Sequence, residues 1–217
     1  MFGRVAHRYD LANHLLSMNV DRYWRRRTVR RVRDQIRRTD ARVLDLCCGT
    51  GDLTVALGKE RGGAVYGSDF CHPMLLGAVN KISDYPFFEG DALCLPLRDG
   101  ALDVITVAFG FRNFANYGAG LNELRRVLKP GGTLAILEFS KPPNRLFAAC
   151  YEWYSRRVLP WIGGLLSGSR DAYTYLPESV RKFPGAEELA SAMRAAGFDG
   201  VEFERMTGGI VALHLGH

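Results

Sequence analysis

The run Val43-Leu44-Asp45-Leu46-Cys47-Cys48-Gly49-Thr50-Gly51-Asp52 sets an acid, two cysteines and two glycines within ten residues. Its apolar start reads as a buried strand and 52–59 reads as a helix, so Gly49-Thr50-Gly51 is the turn between them. Glycine lacks a Cβ, which lets the backbone turn sharply and lets a ligand lie against it. The first N–H groups of the helix and its positive dipole end suit a carboxylate or a phosphate. Strand, Gly-rich turn and helix open a nucleotide-binding α/β fold. The pattern lacks the third glycine of the dinucleotide fingerprint, so a tight turn without a ligand is a competing reading at this point. Two further acids follow strands. Ala64–Asp69 reads as a second strand and ends in Asp69, 18 residues past Gly51. A carboxylate there can accept from both hydroxyls of a ribose, or it can cap the helix read over 73–82. Asp91 and Ala92 follow a short strand over 86–89. There a carboxylate can accept from the exocyclic amine of a base while backbone N–H groups meet ring nitrogens.

A different chemistry is set out after the apolar strand Leu102–Ala108, in Phe109-Gly110-Phe111-Arg112-Asn113-Phe114. Ligands of open α/β sheets bind outside the carboxyl ends of the strands. One Arg, one Asn and three Phe in that place offer polar contacts inside an aromatic pocket; the competing reading is that Arg112 only pairs with a carboxylate of the fold. The stretch 141–168, with Phe147, Tyr151, Trp153, Tyr154 and Trp161, breaks the strand–helix alternation. It reads as a lid over an apolar substrate or as an ordinary core helix pair.

These groups need a frame. At 217 residues, 47% hydrophobic and 24% charged, the chain is expected to form one domain with a real core. Five cysteines without Cys-x-x-Cys and five scattered His argue against a disulfide framework or a structural metal. No leader and no membrane-spanning run are read, so a cytoplasmic location is expected. The net charge of +6 is concentrated: nine Arg and one Asp lie between Arg22 and Arg38. Trp24, Thr28, Val32 and Ile36 recur every four residues, which predicts one helix over 21–38 with an apolar stripe and an arginine face. That face is solvated, or it meets an anionic membrane surface. Nucleic acid fits less well, because no aromatic residues are interleaved on it. Residues 2–17 read as helical. Later elements are a helix over 121–128 stopped by Pro130-Gly131, a strand over 133–138, a helix from Phe183 to Gly197, and strands over 201–206 and 210–215 joined by Thr207-Gly208-Gly209.

Five strand–helix units followed by a helix and an antiparallel pair resemble the class I S-adenosylmethionine-dependent methyltransferases. The expected fold is α/β and Rossmann-like: a seven-stranded, mostly parallel sheet with a C-terminal antiparallel hairpin. It forms a single domain over 1–217, with N-terminal helices over 1–38 as a cap and 141–182 as a helical lid insertion. Two stretches narrow the resemblance, Tyr9-Asp10-x-x-Asn13-x-x-x-Ser17 followed by Trp24, and Arg126-Val-Leu-Lys-Pro-Gly-Gly-Thr-Leu-Ala-Ile-Leu-Glu-Phe-Ser140. Together with Phe109-Gly-Phe-Arg112-Asn113 they are similar to the menaquinone and ubiquinone biosynthesis C-methyltransferases of the UbiE/MenG type. Ala12 and Asp21 depart from that pattern, where many members have Met and His.

The resemblance implies S-adenosyl-L-methionine as cofactor and demethylmenaquinol, or a related prenylated quinol, as methyl acceptor. It implies a cofactor set of Asp45, Gly49, Thr50, Gly51, Asp69, Phe70, Asp91, Ala92 and Ala108, with the 49–51 turn at the methionine end, Asp69 at the ribose and Asp91-Ala92 at the adenine. In the catalytic set, Arg112 stabilises a developing phenolate while Asn113 and Tyr9 orient ring oxygens or a water. No general base is evident. No metal is required. A prenyl tail in the bilayer would explain an arginine helix and an aromatic segment together as a peripheral membrane contact on the inner face. A homodimer is compatible with the chain. Two readings compete: a methyltransferase for another small phenol, lipid or RNA, and a binding protein that keeps the cofactor site without turnover.

Overall fold

The computed structural model describes residues 19–82, 84–154, 157 and 178–217. Among them, seven strands form one sheet: β1 (Arg42–Leu46), β2 (Ala64–Asp69), β3 (Phe87–Glu89), β4 (Leu102–Ala108), β5 (Leu128–Phe139), β6 (Glu202–Met206) and β7 (Val211–Gly216). Their spatial order is β3-β2-β1-β4-β5-β7-β6. β1 through β5 pair in parallel, and β7 runs against both β5 and β6. β7 is therefore the one reversed strand among those described. The central strands are nearly all apolar because helices cover both faces, so no solvent side exists to select polar residues.

One face carries α1 (Val20–Arg31), α2 (Arg33–Ile36) and α3 (Asp52–Gly58), with Trp24, Val29, Val32, Ile36, Leu53 and Leu57 packed on Val43, Val65 and Val104. After β2 comes α4 (His72–Lys81), which buries Met74, Leu75 and Ala78. The other face carries α5 (Tyr117–Val127) and α6 (Ala186–Ala195), whose Leu121, Leu124, Leu189 and Met193 pack on Leu44, Ile105 and Ile136.

Three expectations need correction. The helix predicted over 21–38 is two helices, broken at Val32 (φ −104°, ψ 7°). The Thr28 hydroxyl donates back to the Trp24 carbonyl at 3.1 Å, a bond that bends helices. β5 begins before the expected 133, at Leu128, and its register with β4 jumps from Leu102↔Leu128 to Val104↔Thr133. Pro130 cannot donate to the ladder and Gly131 turns at φ 75°, so the strand bulges there and resumes. Phe183 does not open the last helix. It is buried against Phe111 and Tyr117, and α6 starts at Ala186 after Gly185, whose N–H donates to Glu188 Oε2 at 2.6 Å.

The turn Thr207–Gly209 between β6 and β7 seats two incoming segments. Trp24 Nε1 donates to Thr207 Oγ1 at 2.9 Å, which docks α1. Phe147, in a helical stretch over 145–154, lies over Gly208, where a Cβ would come within 2.6 Å of its ring. Asn144 Oδ1 caps this stretch by accepting from Phe147 N at 3.0 Å. The lid expected over 141–182 and the cap expected over 1–38 are thus only partly described: residues 1–18, 155–156 and 158–177 lie outside the described residues.

Candidate active site

The strand order reverses between β1 and β4, and the chain leaves both strands in the same unusual way. Cys47, after β1, has φ 57°, and Phe109, after β4, has φ 61°. Left-handed backbone at non-glycine residues costs of order 1 kcal/mol and clusters where a site needs a particular chain path. The two turns touch, since a Cβ on Gly110 would fall 2.3 Å from Cys47 Cβ. Beyond Cys47 the turn continues through Gly49 (φ 56°) and Gly51 (φ 86°). A Cβ on Gly49 would meet only Met74, at 3.7 Å, so this glycine serves the turn and leaves room beside it.

Asp69 ties the end of β2 to that turn. Its Oδ2 accepts from Gly49 N at 2.9 Å and its Oδ1 from Cys71 N at 2.8 Å. The capping reading is not realised: Cys71 is the N-cap of α4 and no side chain caps that helix, and the second bond closes a turn ahead of it. An ionised carboxylate has about four acceptor sites, so these two bonds do not exhaust it. Burial raises the Asp69 pKa, and the N–H groups of Cys71, Gly49 and Phe70 oppose that rise. Phe70 alongside is 73% exposed, a free aromatic face. Asp91 is exposed, with Oδ1 accepting from Leu93 N at 2.9 Å. Ala92 and Ala108 are half-buried, and Thr50 is buried.

Asp45 stands apart from this set. It is 1% exposed, and its oxygens accept from Thr54 Oγ1 at 2.7 Å and Thr106 Oγ1 at 3.0 Å. It clamps β1, α3 and β4 from beneath the turn. Burial pushes its pKa up to about 6, and the two hydroxyls and the Arg25 charge pull it back. The thiols of Cys47 and Cys48 are driven well up, first by burial and then by Asp45 and Asp69. They are neutral packing groups.

In the loop after β4, a 3-10 turn over Phe111–Asn113 repeats every three residues and sorts the side chains. Phe111 and Phe114 fall on one side, 4.6 Å apart, and pack with Tyr117 in the core. Of the three Phe expected to line a pocket, Phe111 is therefore core. Phe109 joins Trp24 and Phe139 instead, with centroids 5.8 and 5.0 Å away. Arg112 does pair with a carboxylate of the fold. Its Nη1 donates to Glu138 Oε1 at 2.9 Å and to the Phe109 carbonyl, and its backbone N donates to Glu138 Oε2 at 3.1 Å. Its guanidinium also lies 5.4 Å from the Phe139 ring centre. Glu138, at the carboxyl end of β5, escaped the sequence reading. The available sign was an acid directly after the apolar run Leu134–Leu137. Asn113 is exposed; Tyr9 and the rest of its motif lie outside the described residues.

Asp91, Asp69, Gly49 and Ala108 lie at or just past the carboxyl ends of β3, β2, β1 and β4, which are neighbours in that order. Three strand spacings of about 4.8 Å put the outer two roughly 14 Å apart, the reach of an extended nucleoside with an amino-acid arm. Solved structures share the architecture. S-adenosylmethionine-dependent methyltransferases from Aquifex aeolicus (TM-score 0.59, 22% identity, 87% of this chain and 88% of that one) and Thermotoga maritima (TM-score 0.68, 19% identity, 99% and 97%) have the same fold. The fold is that of the S-adenosylmethionine-dependent methyltransferases. Among proteins of similar sequence, the demethylmenaquinone methyltransferase of Thermus thermophilus is 50% identical over 100% of this chain and 99% of its own length. That of Deinococcus radiodurans is 48% identical over 100% and 90%. The chain belongs to the ubiE/COQ5 methyltransferase family, which matches residues 1–217.

Proposed function

We propose that the protein methylates a ring carbon of a prenylated quinol, with demethylmenaquinol as acceptor. The observation that carries this reading is the full-length identity of about one half to proteins bearing that name. S-adenosylmethionine fits the residues present, and it supplies a methyl already activated on a sulfonium. Asp69 accepts from the ribose hydroxyls, the exposed Phe70 ring covers the adenine, and Asp91 with Ala92 meets the base edge. Gly49, Thr50 and Gly51 face the methionine end, and Ala108 closes the row at β4. Asp45 acts from below by holding Thr54 and Thr106, so the turn is set before the ligand arrives.

The acceptor carbon becomes nucleophilic as a ring hydroxyl loses its proton. Arg112 stabilises the developing oxyanion, and Glu138 fixes the guanidinium in place beforehand. Asn113 and Tyr9 orient the ring oxygens. Alignment of acceptor and methyl supplies much of the rate. Among the described residues no helix is long and apolar enough to cross a membrane. Access to the prenyl tail then falls to a peripheral contact through the exposed arginines of α1 and the exposed Leu146 and Trp153. The test is methyl transfer from isotopically labelled S-adenosylmethionine to a panel of chemically reduced quinones. A product heavier by one methyl from demethylmenaquinol is the expected result. Transfer only to unprenylated phenols would reject the acceptor.

A further inference from the structure

Arg25 behaves unlike the other basic residues of its segment. Arg27 and Arg31 reach Glu204, Arg33 and Arg37 reach Glu60, and Arg38 reaches Asp40. Arg22, Arg26 and Arg30 are exposed. Arg25 turns inward, with its guanidinium 5.6 Å over the Phe109 ring. Its Nε and Nη1 are buried and have no hydrogen-bond acceptor among the described residues. Its ion pair with Asp21 spans 3.7 Å, too long for a hydrogen bond. The side chain as a whole is half-buried, but two buried guanidinium nitrogens with unused N–H groups are costly unless an acceptor arrives.

The place it occupies is the junction of β1 and β4. Phe109 is the left-handed residue after β4, and the Arg25 charge is felt at Asp45 in β1. The methionine arm of the cofactor carries a carboxylate to this edge, where it needs a cation. Arg112 is engaged by Glu138, and Lys81 by Asp52. Asp52 also sets a negative charge in the first turn of α3, which opposes an anion at that helix end.

We propose that Arg25 binds the α-carboxylate of S-adenosylmethionine through its inward-facing N–H groups. The inference rests on the cofactor placement argued above and adds to it a residue of α1. α1 thereby becomes a wall of the cofactor site, and Asp21 serves as the counter-charge that holds Arg25 in place.

Calorimetry with S-adenosylmethionine and its decarboxylated analogue tests this. The analogue keeps the sulfonium and the amine and lacks only the carboxylate. Arg25→Gln should weaken S-adenosylmethionine about tenfold to a hundredfold, as for a charge-assisted bond, and change the analogue by less than about threefold. The wild-type protein should itself prefer S-adenosylmethionine over the analogue. Equal losses for both ligands in Arg25→Gln, no loss for either, or equal affinity of the wild type for both would overturn the assignment. Should Arg25→Gln fold poorly, Arg25→Lys retains the charge with fewer donors. It should lose affinity for S-adenosylmethionine alone, and parallel losses for both would again reject the idea. Asp69→Asn separates the two levels: it should weaken both ligands whether or not Arg25 acts as proposed, and if it weakens neither, the cofactor placement itself fails.

Discussion

Glu138 and Arg112, 26 residues apart in the chain, meet at 2.9 Å with both side chains almost out of reach of solvent. Glu138 is also the acceptor for the backbone N–H groups of Arg112 and Phe139. One carboxylate thus fixes the end of β5, the turn after β4 and the guanidinium between them. Removing it leaves a buried cation uncompensated, which costs about 3–5 kcal/mol. Glu138→Ala should lower the thermal midpoint by about 10 °C for a chain of this size, read by circular dichroism. A change of a degree or two would mean that water reaches the pair in solution.

The same bond separates fold from chemistry at Arg112. Arg112→Ala would confound the two, whereas Arg112→Lys keeps a charge beside Glu138 and gives up the planar fork. Turnover should fall about a hundredfold, in line with loss of one oxyanion donor, while S-adenosylmethionine affinity stays within about threefold. Single-turnover rates with a reduced quinone, set beside calorimetric affinity, provide the check. Matching losses in both would remove Arg112 from the acceptor side of the site.

Asp69 is required by the turn and, in the proposed reading, by the ligand. Asp69→Asn keeps one acceptor oxygen for the backbone and loses the charge that two ribose hydroxyls would meet. Affinity for S-adenosylhomocysteine should drop about tenfold or more, with the fold retained. Unchanged affinity would leave Asp69 only its bonds to Gly49 N and Cys71 N.

Asp45 provides a pH test. Burial holds its folded pKa at about 6 against an ordinary 3.8, so the folded state binds the extra proton between those values. Its contribution therefore makes the fold less stable as pH rises through that window, with a full cost of about 3 kcal/mol above it. Asp45→Asn removes this dependence and can still bond both threonines. Urea unfolding at pH 4.5 and pH 7.5 should show the variant gaining about 2 kcal/mol on wild type between the two conditions. A constant difference would show Asp45 ionised at no cost.

Much of this frame was legible in the chain, for identifiable reasons. β2 and β4 fall where they are expected, over Ala64–Asp69 and Leu102–Ala108; β4, buried on both faces, leaves a nearly continuous apolar run. The reversed β7 followed from two short strands around Thr207-Gly208-Gly209. The break at Val32 was hidden, since the apolar spacing passes straight through it and only the Thr28 back-bond betrays it. Glu138 was hidden because pairing across 26 residues leaves no local pattern. Arg25 looked like one arginine among nine; only three dimensions show that it points inward.

The arginine face is one surface in the sequence and two in the structure. Arg27 and Arg31 bind Glu204, with Arg31 also on Glu202, and Arg33 and Arg37 bind Glu60. Hydrogen bonding from Arg27 holds the Glu204 carboxyl below its usual range, as Arg37 does for Glu60. These side chains strap α1 and α2 to the body. Arg22, Arg26 and Arg30 recur every four residues, which puts them on one helix face, and Tyr23 beside them is 53% exposed. A basic side chain at an anionic bilayer contributes about 1 kcal/mol. Replacing these three with Gln should therefore weaken binding to phosphatidylserine-rich vesicles about a hundredfold. Replacing Arg27, Arg31 and Arg33 should leave most of that binding and lower the thermal midpoint instead. Co-sedimentation at low and high salt distinguishes the two sets, because only an electrostatic contact collapses as screening grows. Equal loss from both triples would mean that net charge alone draws the protein to the surface, and no loss from either would leave α1 a solvated helix.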